Sequence, residues 1–353
     1  LWPVTPVGLA SAQPAPHLVA QIVQLRTHGG NIFSGAEFSL VAEGRQVECV
    51  EIGGIPIALA TSDDDFLHLL RQRYAGFLSP SIPDFELEFD LTSPTPVSDA
   101  DTRVRRVFSE DTNPEHTNAE HKNSGHWLIE RGDFRARWDP RTGRGTVRQN
   151  PNPFSLDSVL RILHSLILAE RGGFLLHAAS AICDGRAFLF SGVSGAGKTT
   201  MTRIAPPDIT LLTDEISYIR PLNARDHAHP NNAHPNNAHP NNSRPTGASY
   251  AAFGTPFSGE LAKAGENCSA PIAALFFLEQ GPENRIDDVS STEAVRRLMR
   301  NILFFAEDQG LVEKLFATAC DFVSRVPIYR LTFYPDGRVW DRIRDFQGAA
   351  VHA

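Results

Sequence analysis

The sequence predicts a mixed α/β (α+β) protein: a strand-to-helix loop of phosphate-binding form set in a mixed sheet, preceded by a smaller β-rich domain. Three observations carry this. The apolar run "AFLFS" at 187–191 leads directly into Gly192-Val193-Ser194-Gly195-Ala196-Gly197-Lys198-Thr199, which fits G-x-x-x-x-G-K-[ST]. A second strand-like run, "FLLHAASAI", precedes it across Cys183-Asp184-Gly185, and Asp-Gly is a favoured hairpin turn, so the strand feeding the loop gains an antiparallel neighbour. Ahead of residue 150 the alternation is that of strands: "FELEFDL" at 85–91 alternates apolar and acidic side chains, as a half-exposed strand must.

A chain of 353 residues favours two domains. Residues 1–15 read as a loose Pro/Ala/Ser tail and 16–150 as the β-rich domain. Within the latter, "SDDDFLHLLRQRYAGF" predicts a helix capped by Ser62 with acids at its positive end. Arg131-Gly132-Asp133 and the stretch from Pro140 to Gly143 supply turns between strands in "HWLIERGDFRARWDPRTGRGTVRQ", while 92–125 is polar and reads as a long loop.

The second domain spans 151–346. A helix from Ser155 stops at Gly172-Gly173. After the glycine-rich loop a helix from Lys198 reaches only Ala205, because Pro206-Pro207 ends it, and the strand "ITLLTDE" follows at once. Residues 221–247 hold an insert with the repeat "AHPNN", which has no large apolar side chain and cannot build a core; His229, His234 and His239 recur in it at a fixed interval. The strand "PIAALFFLE", a helix opened by a Ser290/Glu293 capping box, a helix over 309–325 and a strand from "IYRLTF" complete the domain, with a tail over 347–353.

A net charge of −8 argues against a nucleic-acid partner. The run "VLRILHSLILA" at 159–169 is too short for a bilayer and is interrupted by Arg161 and His164, so no membrane association is expected. Cys49, Cys183, Cys268 and Cys320 lie far apart without metal-ligand spacing, which points to reduced structural thiols and a cytoplasmic protein.

The glycines of the loop let backbone N–H groups turn inward around phosphate oxygens. Lys198 supplies a point charge near the β- and γ-phosphates and Thr199 offers a hydroxyl to Mg²⁺; Gly192, Ser194, Gly195, Ala196, Gly197 and Thr200 join them as the expected nucleotide-binding residues. The expected ligands are therefore ATP or GTP with Mg²⁺. Asp214 and Glu215 follow at a strand end, where carboxylates can hold Mg²⁺ or take a proton from an attacking hydroxyl.

The segment from His177 to Arg220 resembles the catalytic core of HPr serine kinase/phosphorylases, which are similar in fold to ATP-dependent phosphoenolpyruvate carboxykinases. It is also similar to HPr-kinase-like enzymes that modify peptides. The shared features are a His before a hairpin, the G-x-S-G-x-G-K-[ST] loop form and paired acids one short helix later, within a layout covering 155–346. The resemblance implies a P-loop mixed sheet of that type. It also implies a serine kinase in which Lys198 and Thr199 are phosphate and Mg²⁺ ligands, Asp214 is the base toward the acceptor serine, and His177 lies near the reacting phosphate. Glu215 stands where the family has a second Asp, and Glu260 in "GTPFSGE" is the candidate for a further Mg²⁺ carboxylate. The Arg-Gly-rich signature of true HPr kinases is absent, so the expected partner is another protein or peptide carrying the acceptor serine. Lys263 and Arg297 stay outside the site. A homo-oligomer is left open, because relatives often assemble. A non-catalytic nucleotide switch and a small-molecule kinase remain as alternatives.

Overall fold

The computed structural model describes residues 44–93, 101–108, 125–222, 250–261 and 264–351. The expected tail at 1–15, most of the 92–125 loop and the His-bearing repeat lie outside the described residues. Among the described residues the architecture is mixed α/β and dominated by strands, in two sheets of seven and nine. No helix among the described residues is long and apolar enough to cross a membrane.

The first sheet contains β1 (Gln46–Ile52), β2 (Ile55–Thr61), β3 (Phe85–Leu91), β4 (Arg103–Phe108), β5 (Gly125–Arg131), β6 (Phe134–Asp139) and β7 (Arg144–Gln149), in the order β1-β2-β3-β7-β6-β5-β4. Its alternating sequences turn Phe85, Leu87, Phe89, Trp127, Ile129 and Val147 to one buried face. That face is covered by α1 (Asp64–Arg73) and α2 (Pro153–Glu170), with Phe66 meeting Phe89 at 5.5 Å between ring centroids. Helix α2 is buried on almost every side. Asn152 caps it by accepting from the Ser155 N–H, and its apolar side chains share one core with the first sheet and with Ile216, Tyr218, Phe253 and Phe257 beyond it. A helix buried on almost every side can rest only between two layers, and here it joins the sheets.

The second sheet contains β8 (Phe174–Cys183), β9 (Arg186–Ser191), β10 (Thr210–Thr213), β11 (Ile216–Pro221), β12 (Tyr250–Phe253), β13 (Ser269–Gln280), β14 (Arg285–Asp288), β15 (Ile302–Leu303) and β16 (Ile328–Phe333). Strands β9, β13 and β16 run parallel, whereas β8 is antiparallel to β9. The expected hairpin is present: Cys183 pairs with Arg186, and Asp184 and Gly185 both take positive φ, 48° and 74°. The pairings β8–β9–β13–β12–β11–β8 close on themselves. Helices α3 (Lys198–Arg203), α4 (Ser291–Asn301), α5 (Gln309–Arg325) and α6 (Arg338–Val351) complete the chain.

Four local expectations change. Asp63, not Ser62, caps α1, because its carboxylate accepts from the Phe66 N–H at 2.8 Å. The 92–125 segment holds strand β4, antiparallel to β5. The tail from 347 is not separate, since α6 runs through it to Val351. The capping box is half formed: Ser290 accepts from the Glu293 N–H, but the Glu293 carboxylate turns to Arg296 and Arg297. The four cysteines are free, and burial pushes Cys49 up to about 12 and Cys268 up to about 11, so both stay thiols.

His164 of α2 is fully buried against Tyr218, its Nδ1 lying 3.2 Å from the Tyr218 hydroxyl. Burial, aided by Arg171, lowers its pKa to about 3 from 6.5. Between those values the unfolded chain binds a proton that the folded chain refuses, so this contribution to stability is complete above about pH 6.5 and is lost as pH falls toward 3. Urea titrations of wild type should show stability falling by up to about 1.4 kcal/mol per pH unit over that range. His164→Gln should flatten the slope; an unchanged slope would show that His164 is not the group responsible.

Candidate active site

The register of β8 determines which side chains meet. Ser191, the last residue of β9, pairs with Ala178, and its hydroxyl donates to the His177 carbonyl at 3.1 Å. Ile216, the first residue of β11, pairs with His177. The start of the glycine-rich loop, His177 and the Asp214-Glu215 link between β10 and β11 therefore converge at one place.

Backbone geometry explains the glycines. Gly195 and Gly197 have φ of +78° and +108°, and a Cβ on Gly197 would stand 2.4 Å from the Phe333 ring. A Cβ on Gly192 would stand 2.7 Å from that of Ala196. Gln280 Nε2 donates to the Gly195 carbonyl at 2.7 Å and braces the loop. Val193, Ser194 and Gly195 are exposed, Ala196 is buried, and Thr199 and Thr200 are half-buried. Lys198 is buried and donates to the carbonyls of Gly192 and Val193 at 2.8 and 3.3 Å. Burial lowers its pKa, while Glu215 and Glu260 pull it back up.

The two adjacent acids differ sharply. Asp214 is 3% exposed and accepts two backbone N–H groups, from Gly259 to Oδ1 at 2.8 Å and from Leu261 to Oδ2 at 2.9 Å. A Cβ on Gly259 would come within 3.0 Å of Asp214 Oδ2, so glycine permits this approach. Glu215 is open by contrast, its side chain 33% exposed and its Oε2 3.8 Å from Arg161 Nη2. Burial raises the Glu215 pKa, Arg161 lowers it, Asp214 raises it and Lys198 lowers it. Glu260 is exposed and faces Arg203 at 3.8 Å. His177 is half-buried, and burial followed by the charge of Lys198 lowers its pKa, which favours the neutral ring.

Lys198 is thus electrostatically linked to His177, Glu215 and Glu260, and Asp214 adjoins Glu215. Among the described residues no three His, Cys, Asp or Glu side chains gather closely enough to hold a metal ion by themselves. The donor set fits Mg²⁺ in its usual manner, which is one or two carboxylates with water and substrate oxygens, and here Glu215 and the Thr199 hydroxyl offer hard oxygen ligands. Arg297 is engaged by Glu293 and Glu279, and Lys263 lies outside the described residues.

Two neighbours of the site escaped the sequence reading, Arg161 and Gln280. A charged residue inside an otherwise apolar buried helix was the available signal for Arg161. Nothing in the sequence distinguished Gln280 from any polar strand end.

The fold and the site define a mixed α/β protein in which a glycine-rich strand-to-helix loop faces an acid pair. A family model described as SynChlorMet cassette protein ScmC matches residues 149–346, more than half of the chain, and the chain belongs to that family. No curated protein matches it. The matched segment contains α2 and every candidate site residue.

The inequality of the two acids has a measurable consequence. Asp214→Asn turns an amide N–H₂ toward a backbone N–H and should cost about 1–3 kcal/mol of stability. Glu215→Gln loses only a long pair to Arg161 and should stay within about 0.5 kcal/mol of wild type. Denaturant midpoints of the two variants decide this; equal midpoints would mean that the Asp214 contacts contribute nothing to the fold.

Proposed function

We propose that this chain is an Mg²⁺-dependent kinase that transfers the γ-phosphate of ATP, or GTP, to a serine hydroxyl of a protein or peptide, on a P-loop sheet of the HPr-kinase-like type. The observation that carries the reading is the convergence, through the register of β8, of the Gly192–Thr199 loop, His177 and the Asp214-Glu215 pair. An antiparallel strand beside the one that feeds the loop, and an acid pair reached after a single short helix, agree with the resemblance.

The roles follow from the positions. Backbone N–H groups of Gly192 to Gly197 surround the phosphates, and Lys198 releases the loop carbonyls to neutralise them. Thr199, Glu215 and Asp214, with Glu260 as a further carboxylate, would hold Mg²⁺, which when bound would supply charge neutralisation to the phosphates. The serine oxygen attacks the γ-phosphorus and forms the new O–P bond. The bond to the bridging oxygen breaks, the nucleoside diphosphate leaves, and the hydroxyl proton passes to the Asp214 carboxylate. Each Asp214 oxygen accepts a hydrogen bond from one backbone N–H and keeps a second lone pair for the hydroxyl. Neutral His177 is placed to donate or accept a hydrogen bond beside the phosphate without adding charge.

One observation favours a second reading, a nucleotide-dependent switch. The same Asp214 ties down the segment at 259–261, so an acid that senses the nucleotide could pass its position to that segment.

Incubation of wild type with γ-labelled Mg-ATP and a lysate of the native host should give an acid-stable, alkali-labile labelled protein or peptide. Lys198→Ala should reduce labelling by about 10²-fold or more. Nucleotide binding without any labelled acceptor would exclude the kinase and favour the switch, whereas label on a metabolite would select a small-molecule kinase.

A further inference from the structure

A guanidinium has five N–H donors in a fixed fork, and burying it without acceptors is costly. Arg161 is partly in that position, with its side chain 25% exposed and its Nε buried. It projects from α2, and its guanidinium lies 5.0 Å from the centre of the Phe257 ring. Its Nη2 is 3.8 Å from Glu215 Oε2, beyond hydrogen-bond reach, and its Nε is buried with no hydrogen-bond partner among the described residues. The acid one turn earlier on the helix, Asp157, would ordinarily serve as its (i, i+4) partner. Asp157 is already taken by the Arg73 guanidinium and by the Tyr74 hydroxyl at 2.7 Å. Arg161 is therefore held by a packed helix and an aromatic face, next to the acid pair, with donors unused.

We propose that Arg161 is a second cation of the site and contacts the transferring phosphoryl group itself. The assignment rests on the kinase reading and names a residue which that reading did not include. The charges at the site support it: Asp214, Glu215 and Glu260 stand against Lys198, and a γ-phosphoryl group adds further negative charge on three oxygens. Lys198 is a point charge, whereas the planar fork of an arginine can meet two of those oxygens at once. Arg203 is a poorer candidate, since its side chain is 58% exposed and pairs with Glu260, so water competes for its charge. The long approach to Glu215 leaves Arg161 free to redirect its donors without breaking a formed hydrogen bond.

The test compares wild type, Arg161→Gln, Arg161→Lys and Lys198→Ala by calorimetric binding of Mg-ADP with and without aluminium fluoride, a mimic of the transferring phosphoryl group. Wild type should bind Mg-ADP about 10²-fold more tightly when fluoride and aluminium are present. Arg161→Gln should bind Mg-ADP as wild type does and lose about tenfold or more of that gain; Arg161→Lys should recover part of it. If the Gln variant does not fold, the Lys variant should still keep Mg-ADP affinity and show a reduced gain. A full gain in both variants, or a parallel loss of Mg-ADP affinity, overturns the assignment and leaves the kinase reading standing. No gain in wild type, with Lys198→Ala binding Mg-ADP equally well, overturns both.

Discussion

Strand β8 is hydrogen-bonded to neighbours along both edges, and the arrangement of the site depends on it. Its second half is paired with β9 and β10, its first half with β11 and β15. Because the side-chain period of a strand is two, a slip of one residue would carry His177 to the other face of the sheet and separate it from both Ser191 and Ile216. The apolar side chains of β8 prevent that slip: every residue from Phe174 to Cys183 except His177 is buried, and they fall in three different cores. The one partly open position in the strand is thus the one beside the glycine-rich loop.

The first sheet is attached to this framework by side chains rather than by a hinge. Helix α2 passes Asp157 to Arg73 and Tyr74 on one side and presents Arg161 to Glu215 on the other. Strand β11 is held too: Arg220 Nε donates to the Gly53 carbonyl at 2.8 Å, and a Cβ on Gly53 would lie 2.2 Å from the Tyr218 ring. Glycine at the β1–β2 turn allows that close contact, and its φ of +62° suits a residue without a side chain. The β-rich part of the chain therefore bears directly on the strand that begins just after Glu215.

What could be read in the sequence had a local physical cause. Glycines in the loop, Asp-Gly in the hairpin, Pro206-Pro207 after α3 and the alternation of β3 each act within a few residues, and each marked its element. What could not be read depends on distant contacts. Strand β4 shows only Val104 fully buried and carries Arg103, Arg105 and Arg106, so it has little apolar signal and takes its form from pairing with β5. Helix α6 buries Val339, Trp340 and Ile343, with the Trp340 indole N–H donating to the Met201 carbonyl at 3.2 Å, a contact across most of the second half of the chain. The acids at 214 and 215 were legible as a pair; their inequality was not, because it depends on a segment more than forty residues later folding back to donate to Asp214.

Under the proposed kinase function, that inequality would divide the chemistry in a way that the linear sequence hides. Asp214 is preorganised, with two backbone N–H groups fixing its plane, so its orientation is settled before anything binds. Glu215, a methylene longer and partly open, keeps rotamer freedom and meets Arg161 only loosely. A rigid acid suits a proton acceptor that must point at one hydroxyl, and an adaptable acid suits a ligand to Mg²⁺, which accepts few carboxylates but demands regular geometry. The longer side chain at 215 can adjust its reach to an ion, whereas Asp214, held by the 259–261 segment, offers its free lone pairs in one fixed direction. A glutamate at the second position is therefore what a fixed first acid calls for.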